Sequence, residues 1–170
     1  MWYVLQTKSG YEDSAVEKCG HMLSRYDAGK AFTLHYCYEK KYLGEWHTEK
    51  NVLFPGYLFV DSNTDAGLLE EKLKTIPDVA VPVIIGDGFY PVSSDEEDFL
   101  KSMSDNENCI SMSVGYINSG QLVIEKGPLK GKEESIKKID RHKRTAFMEI
   151  SLLHEIRTVK VGLEVKAKTV

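Results

Sequence analysis

Lys137, Lys138, Arg141, His142, Lys143 and Arg144 place six basic side chains within eight residues. Just upstream, Lys126, Lys130 and Lys132 surround the turn sequence Gly127-Pro128-Leu129-Lys130-Gly131. Lys and Arg held in loops suit the phosphate-rich surface of structured RNA, where shape and backbone count for more than base edges. The rival reading is a solubilising basic loop, and the density of cations in an otherwise acidic chain favours RNA. His142 has the chemistry of a pH sensor, but a polar loop residue is its plainer role.

A second constellation is apolar. In LFPGYLFV, Pro55-Gly56 breaks the chain just before an apolar strand, which predicts Phe54 and Tyr57 at a surface edge. Clustered exposed aromatics mark protein interfaces. Phe59 alternates with Tyr57, and Ile84 lies in VPVIIG; for these two a core position explains the sequence as well as an interface does. A third set is Lys8, Lys18, His21 and Arg25. The last three follow spacings of three and four and share one helix face. Phosphate attraction is their chemistry, and an ordinary solvated face is the alternative. Glu12, Asp13 and Glu17 dilute any positive field there.

Nothing in the chain reads as catalytic. HExxH, a P-loop, GxSxG and a Cys/His ligand quartet are all missing from the sequence, so no enzyme activity, cofactor or metal is expected. Cys19 and His21 are two residues apart, which points them to different helix faces. Glu96-Glu97-Asp98 reads as a helix N-terminus, where negative charge is favoured.

The elements that must position these residues follow from periodicity. Trp2–Thr7 reads as a strand, and Tyr11–Tyr26 as a helix with Ala15, Cys19, Met22 and Tyr26 as its apolar stripe. Phe32, Leu34, Tyr36 and Tyr38 alternate as one strand. Glu39–Asn51 reads as a hairpin turning near Leu43-Gly44, and Tyr57–Val60 as a buried strand. Asn63–Thr75 is a second helix ended by Pro77, and Val79–Ile85 a strand followed by a Gly86-Asp87-Gly88 turn. Ser94 and Glu97 stand in capping-box relation before a third helix. Short strands are expected at Leu122–Glu125, Ser135–Ile139, Ala146–Ser151 and Arg157–Val165, the pattern of a small barrel.

The chain has 170 residues, 42% hydrophobic and 28% charged, which disfavours disorder and coiled coil. Its net charge of −4 is a mild argument against nucleic acid. Residues 1–118, however, carry 10 basic and 19 acidic residues, a net of −9, whereas 119–170 carry 12 and 7, a net of +5. Opposite signs in the two parts are the layout of a modular binder. No stretch of eighteen apolar residues occurs, no signal-like N-terminus is evident, and Cys19, Cys37 and Cys109 make no CxxC pair. A cytoplasmic protein with free thiols is expected.

Three segments in order, WYVLQTKSGYE, LFPGYLFV and GPLKGKEESIKKIDRHKRTA, resemble the NusG family of transcription elongation factors across nearly the whole chain. The first two resemble its NGN domain and the third its KOW motif, and IDRHKR is similar to the specialised LoaP-like and, more distantly, RfaH-like branches. The resemblance implies an α+β fold. A four-stranded antiparallel sheet flanked by helices would occupy 1–103, a linker 104–118, and a five-stranded SH3-like barrel 119–170.

It also implies a monomeric antitermination or elongation factor. The NGN domain would dock on the clamp helices of RNA polymerase through Phe54, Tyr57, Phe59 and Ile84, with Lys8, Lys18, His21 and Arg25 near DNA. The KOW loops would hold an RNA hairpin of the nascent transcript. In the alternative, they recruit a ribosomal protein, a termination factor or another Nus-type factor. Three sites depart from the family pattern. Gln6 replaces a frequent aromatic, Glu134 a usual glycine, and Leu153-His154 a usual Phe-Gly turn. The last two raise helix propensity across Glu133–Ile156, so a helical form of this stretch stands as a minority alternative to the barrel.

Overall fold

The computed structural model describes residues 1–76 and 79–167. In chain order the first elements are β1 (Trp2–Gln6), α1 (Glu12–Arg25), β2 (Lys30–Phe32), β3 (His35–Tyr42), β4 (Glu45–Val52) and β5 (Tyr57–Asp61). They are followed by α2 (Ala66–Leu73), β6 (Val81–Pro82), α3 (Ser94–Met103), β7 (Cys109–Ile110) and β8 (Ser113–Asn118). The chain closes with β9 (Gln121–Lys126), a 3-10 turn at Glu133–Ser135, β10 (Ile136–Asp140), β11 (Thr145–Leu152) and β12 (Glu155–Lys166). Two compact units result. One combines Met1–Leu34 with Phe54–Asp98, and the other combines His35–Leu53 with Phe99–Val170.

The first unit is built on an antiparallel sheet in the order β2-β5-β1-β6. Alternation along β1 and β5 sends Tyr3, Leu5, Leu58 and Val60 to one face. There they form a core with Ala15, Cys19, Met22 and Leu23 of α1 and Leu69 and Leu73 of α2. Each such side chain, fully buried, contributes on the order of 1.5–3 kcal/mol. The opposite face carries an aromatic cluster: Trp2 lies edge-on to Phe32 at 4.9 Å and to Phe59 at 5.7 Å, and Phe32 stacks on Phe59 at 5.6 Å.

Local details differ from the sequence reading for identifiable reasons. Tyr26, expected on the buried stripe of α1, is 53% exposed and lies under the Lys72 ammonium at 3.8 Å. The helix stops at Arg25, and the chain turns through Asp27 at φ 49 before Tyr26 can reach the core. Helix α2 starts later than expected because Asp65 caps it, accepting from Leu68 N at 3.2 Å. Pro77 lies outside the described residues. The cap of α3 is Ser93 rather than Ser94: its Oγ accepts from Glu96 N at 3.3 Å, while Glu97 Oε2 accepts from Trp2 N at 3.3 Å. The expected Val79–Ile85 strand shrinks to Val81–Pro82, since a proline cannot donate to the ladder and confines it to the sheet edge.

In the second unit a five-stranded sheet runs β10-β11-β12-β8-β9, and a three-stranded sheet runs β4-β3-β7. The alternation from Phe32 to Tyr38 is not one strand. It breaks at Thr33-Leu34, so β2 joins the first unit's sheet and β3 the second unit's. Strand β12 pairs antiparallel with β11 from Glu155 to Gly162, then parallel with β8 from Leu163 to Lys166. Gly162 sits where β12 passes β3, and a Cβ there would collide with the Cys37 carbonyl. Residues 104–118, read as linker, hold β7 and β8. They are entered by a turn in which Asp105 Oδ1 accepts from Glu107 N at 2.9 Å and Cys109 N at 3.0 Å.

The stretch Glu133–Ile156 forms the 3-10 turn and strands, with β11 and β12 joined by Leu153-His154. Both turn residues have positive φ, 55 and 63, although neither is Gly or Asn. The eight paired residues of the β11–β12 ladder fix the register and force the two-residue turn on them. The equivalent turn between β3 and β4 is Leu43-Gly44, at φ 53 and 77. Left-handed backbone costs a non-glycine residue roughly 1–2 kcal/mol. Leu153 is buried and His154 exposed, so replacing His154 alone by Gly should raise stability by about 1 kcal/mol and Tm by a few degrees in a thermal melt. A lowered Tm would show that the His154 side chain contributes more than the turn strain costs.

Candidate functional site

The Pro55-Gly56 break is a tight turn. Tyr57 N donates to Phe54 O at 3.1 Å, and Gly56 adopts φ 83, as the third position of a type II turn requires. It is pinned from two sides. Thr7 N donates to Gly56 O at 2.8 Å, and Gly56 N donates to Glu12 Oε1 at 2.8 Å. The other Glu12 oxygen accepts from Gly10 N at 2.8 Å. Glu12 is only 4% exposed, so its charge is held between two loops rather than offered to solvent. Sequence reasoning counted it as a diluting surface acid; its position at the first turn of α1 was the available signal.

This turn corrects one expectation. Phe54 does not reach a surface edge. It is buried, with its ring 6.1 Å from Phe59, because the turn folds it back onto the aromatic cluster. Phe59 is likewise a core residue of that cluster. Tyr57 is half-buried, opposite Gln6 across the β1–β5 ladder. Ile84 is 50% exposed beyond the end of β6, near Val81 at 66%.

Of the helix-face set, Lys8 and Lys18 line a cleft of about 490 Å³ with Gln6, Thr7, Tyr11 and Val81. The Lys8 ammonium lies 5.2 Å from the Tyr11 ring centroid. His21 and Arg25 are exposed on α1 and do not line it; His21 Nε2 lies 3.9 Å from Glu17.

The nine candidate RNA-binding residues of the C-terminal part do not form one patch. Lys126 and Lys130 are exposed on the turn anchored by Leu129, which is fully buried and whose N–H donates to Ser113 Oγ at 3.1 Å. Lys132 is half-buried, its ammonium 5.7 Å from the Phe99 ring. Lys137 and Lys138 line a cleft that also holds Glu133 and Glu134, and Lys137 Nζ donates to Glu134 O at 3.0 Å. Arg141, His142 and Lys143 are exposed on the β10–β11 turn. Asp140 shapes that turn by accepting from Lys143 N at 3.0 Å, and this bond holds its carboxyl below the usual range.

Arg144 is a second correction. Its guanidinium pairs with Glu39, lies 3.8 Å from Glu164 and packs over the Trp46 ring at 3.9 Å. It is committed to structure and is no free phosphate ligand. Lys40, Lys41, Trp46 and Lys160 gather around the same turn, which sequence reasoning missed. The cations of β3 were legible only as part of a charged hairpin, since their neighbours come from a distant strand.

Among the described residues no group of three or more His, Cys, Asp or Glu gathers to hold a metal, and no helix is long and apolar enough to cross a membrane. Two of the three thiols, Cys19 and Cys109, are held protonated by their surroundings. Burial pushes Cys19 up to about 11, and burial followed by the Cys37 contact, with sulfurs 2.8 Å apart, pushes Cys109 up to about 12.

Residues 1–101 match the sequence model of a family described as NusG, transcription termination factor. That span is more than half of the chain, and the protein belongs to the NusG family of transcription factors. Among solved structures, one described as domain interaction in Thermotoga maritima NusG matches with a TM-score of 0.51 and 18% identity. The match covers 95% of this chain and 92% of that one, and it establishes the same mixed α+β fold. An MjSpt4:Spt5 complex in conformation A matches at 16% identity and TM-score 0.37, over 95% of this chain and 93% of that one. No curated protein matches.

Replacing Glu12 by Gln should destabilise the chain by about 1.5–3 kcal/mol, because one buried N–H then loses a charged acceptor. Chemical denaturation measures this directly. A change below about 0.5 kcal/mol, the range of ordinary surface substitutions, would show that the carboxylate does not pin the turn.

Proposed function

We propose that the chain is a specialised NusG-family factor, of the LoaP-like kind, that promotes processive elongation and antitermination. In this reading residues 1–103 are the NGN module, 104–118 the connection and 119–170 a KOW module whose five strands form an SH3-like barrel. It is a cytoplasmic monomer without catalytic activity. The NGN module docks on the clamp helices of RNA polymerase. Tyr57 and Ile84 supply the contact, and the buried Phe54 and Phe59 hold Tyr57 in place. Lys8 and Lys18, with His21 and Arg25 further along α1, face DNA. Pausing falls because the factor binds the elongating state preferentially and shifts its population.

The observation that carries the reading is the charge division between the two units. The first holds 6 basic and 14 acidic residues, a net of −8. The second holds 16 and 12, a net of +4, with exposed lysines both on the β3–β4 hairpin and in the segment that resembles KOW. An acidic module needs an apolar protein contact, whereas a basic one attracts phosphate. This supports an RNA hairpin as the second partner, ahead of a ribosomal protein or termination factor.

Ile84→Glu and Tyr57→Ala should each abolish capture of the chain by core RNA polymerase while leaving its gel shift with the leader RNA of its own operon intact. Undiminished capture by both variants would refute the polymerase site. A weak, salt-insensitive shift of the wild-type chain would replace the RNA reading with the protein adaptor.

A further inference from the structure

The β3–β4 hairpin and the β10–β11 turn enclose a cleft of about 450 Å³ within the second unit. Lys40, Lys41, Lys143 and Lys160 line it, with His142 at its rim. Its carboxylate, Glu39, is already paired with Arg144. Among the described residues none of the four lysines has a carboxylate partner within ion-pair distance. Five cations, these four lysines and Arg144, face four carboxylates, Glu39, Glu49, Asp140 and Glu164, so the opening carries a small positive excess in a chain of net charge −4.

The walls are aromatic. Tyr36 and Tyr38 lie 5.6 Å apart, and Tyr38 is oriented by donating its hydroxyl to Glu49 at 2.9 Å. Trp46, 37% exposed, also borders the cleft, but alternation along the hairpin sets it on the face opposite Tyr36 and Tyr38, and its ring is already engaged by the Arg144 guanidinium at 3.9 Å and the Lys41 ammonium at 5.9 Å. Cations alone would suit any polyanion, and aromatic rings alone would suit any apolar group. Together, at this size, they suit a phosphate-linked base. A duplex hides its base faces in the stack, so only an unpaired nucleotide can use both features.

We propose that this cleft binds an unpaired nucleotide of single-stranded RNA, with the base against Tyr38 and the flanking phosphates on Lys40, Lys41, Lys143 and Lys160. The inference rests on the reading that the second unit holds RNA, and it names the part of that RNA which is gripped: a loop, bulge or flank rather than the paired stem. The hairpin β3–β4 thereby joins the RNA site, although it lies about eighty residues or more upstream of the segment that resembles KOW.

The test uses the full chain and an octamer of oligouridylate. Trp46 and Trp2 are its two tryptophans, and Trp2 is 4% exposed, so quenching of intrinsic fluorescence reports the cleft. Oligouridylate should quench, and Trp46→Phe should remove the quenching while anisotropy of a labelled oligomer still shows binding. Lys40→Ala with Lys160→Ala should weaken binding about tenfold or more and reduce the salt slope by about 1.4, two contacts at roughly 0.7 each. Unchanged affinity in that double variant would overturn the proposal. So would equal binding of a blunt RNA duplex, of oligothymidylate, or of a polyglutamate peptide. A leader hairpin that binds normally but ignores the double variant would sink the cleft and leave the hairpin reading standing. A chain that binds oligouridylate through the cleft but no leader hairpin would do the reverse.

Discussion

The second unit depends on what Arg144 does. It stands in left-handed backbone, φ 52, at the end of the β10–β11 turn. Its side chain reaches Glu39 on β3, Trp46 on β4 and Glu164 on β12, and its carbonyl accepts from Leu163 N at 2.9 Å. One residue thus ties a hairpin from the first third of the chain to a sheet from its last third. The pair is half-buried, which makes it a registering contact more than a source of stability: removing one partner strands the other, whereas forming the pair costs desolvation of both. The cleft exists because this contact and the close pass of Gly162 by Cys37 set how the hairpin meets the sheet.

A comparable device organises the first unit. Glu12 spends its carboxylate on two backbone N–H groups, one before α1 and one in the Pro55-Gly56 turn. The first loop leaves β1 and the second leads into its neighbour β5, so the bond fixes where Tyr57 begins β5 opposite Gln6. Behind it the Trp2, Phe32, Phe54 and Phe59 rings supply area and geometry, each close pair adding about 0.5–1.5 kcal/mol beyond simple burial. In both units a single charged side chain is consumed internally, and the groups left exposed around it are the candidate binding groups.

The two units also divide the chemistry. Membership of the NusG family rests on the first 101 residues, and the similarity to Thermotoga NusG extends the fold to nearly the whole chain. The charge is −8 in one unit and +4 in the other, and a surface with excess acid repels phosphate at the range where encounter is steered. Net charge over the whole chain conceals this, because it averages two units of opposite sign.

The sequence by itself determined the elements whose periodicity is local. The stripe of α1 apart from Tyr26, the Leu43-Gly44 hairpin turn, the β5 strand and strands β9 to β12 were legible, as was the basic segment at 137–144, whereas β8 was read as linker. Tertiary structure decided the rest. Alternation from Phe32 to Tyr38 could not show that the strand breaks at Leu34, because period two is the same on both sides of a break. The exposure of Phe54 depended on a ring five residues away, and the role of Arg144 on a carboxylate 105 residues away. Leu153-His154 has the propensity to continue a helix, yet it turns, because eight ladder pairs outweigh two unfavourable φ angles. Side-chain type sets which interactions are available. Which of them are used is fixed by long-range pairing, whose free energy exceeds local preference and leaves no trace in residue spacing.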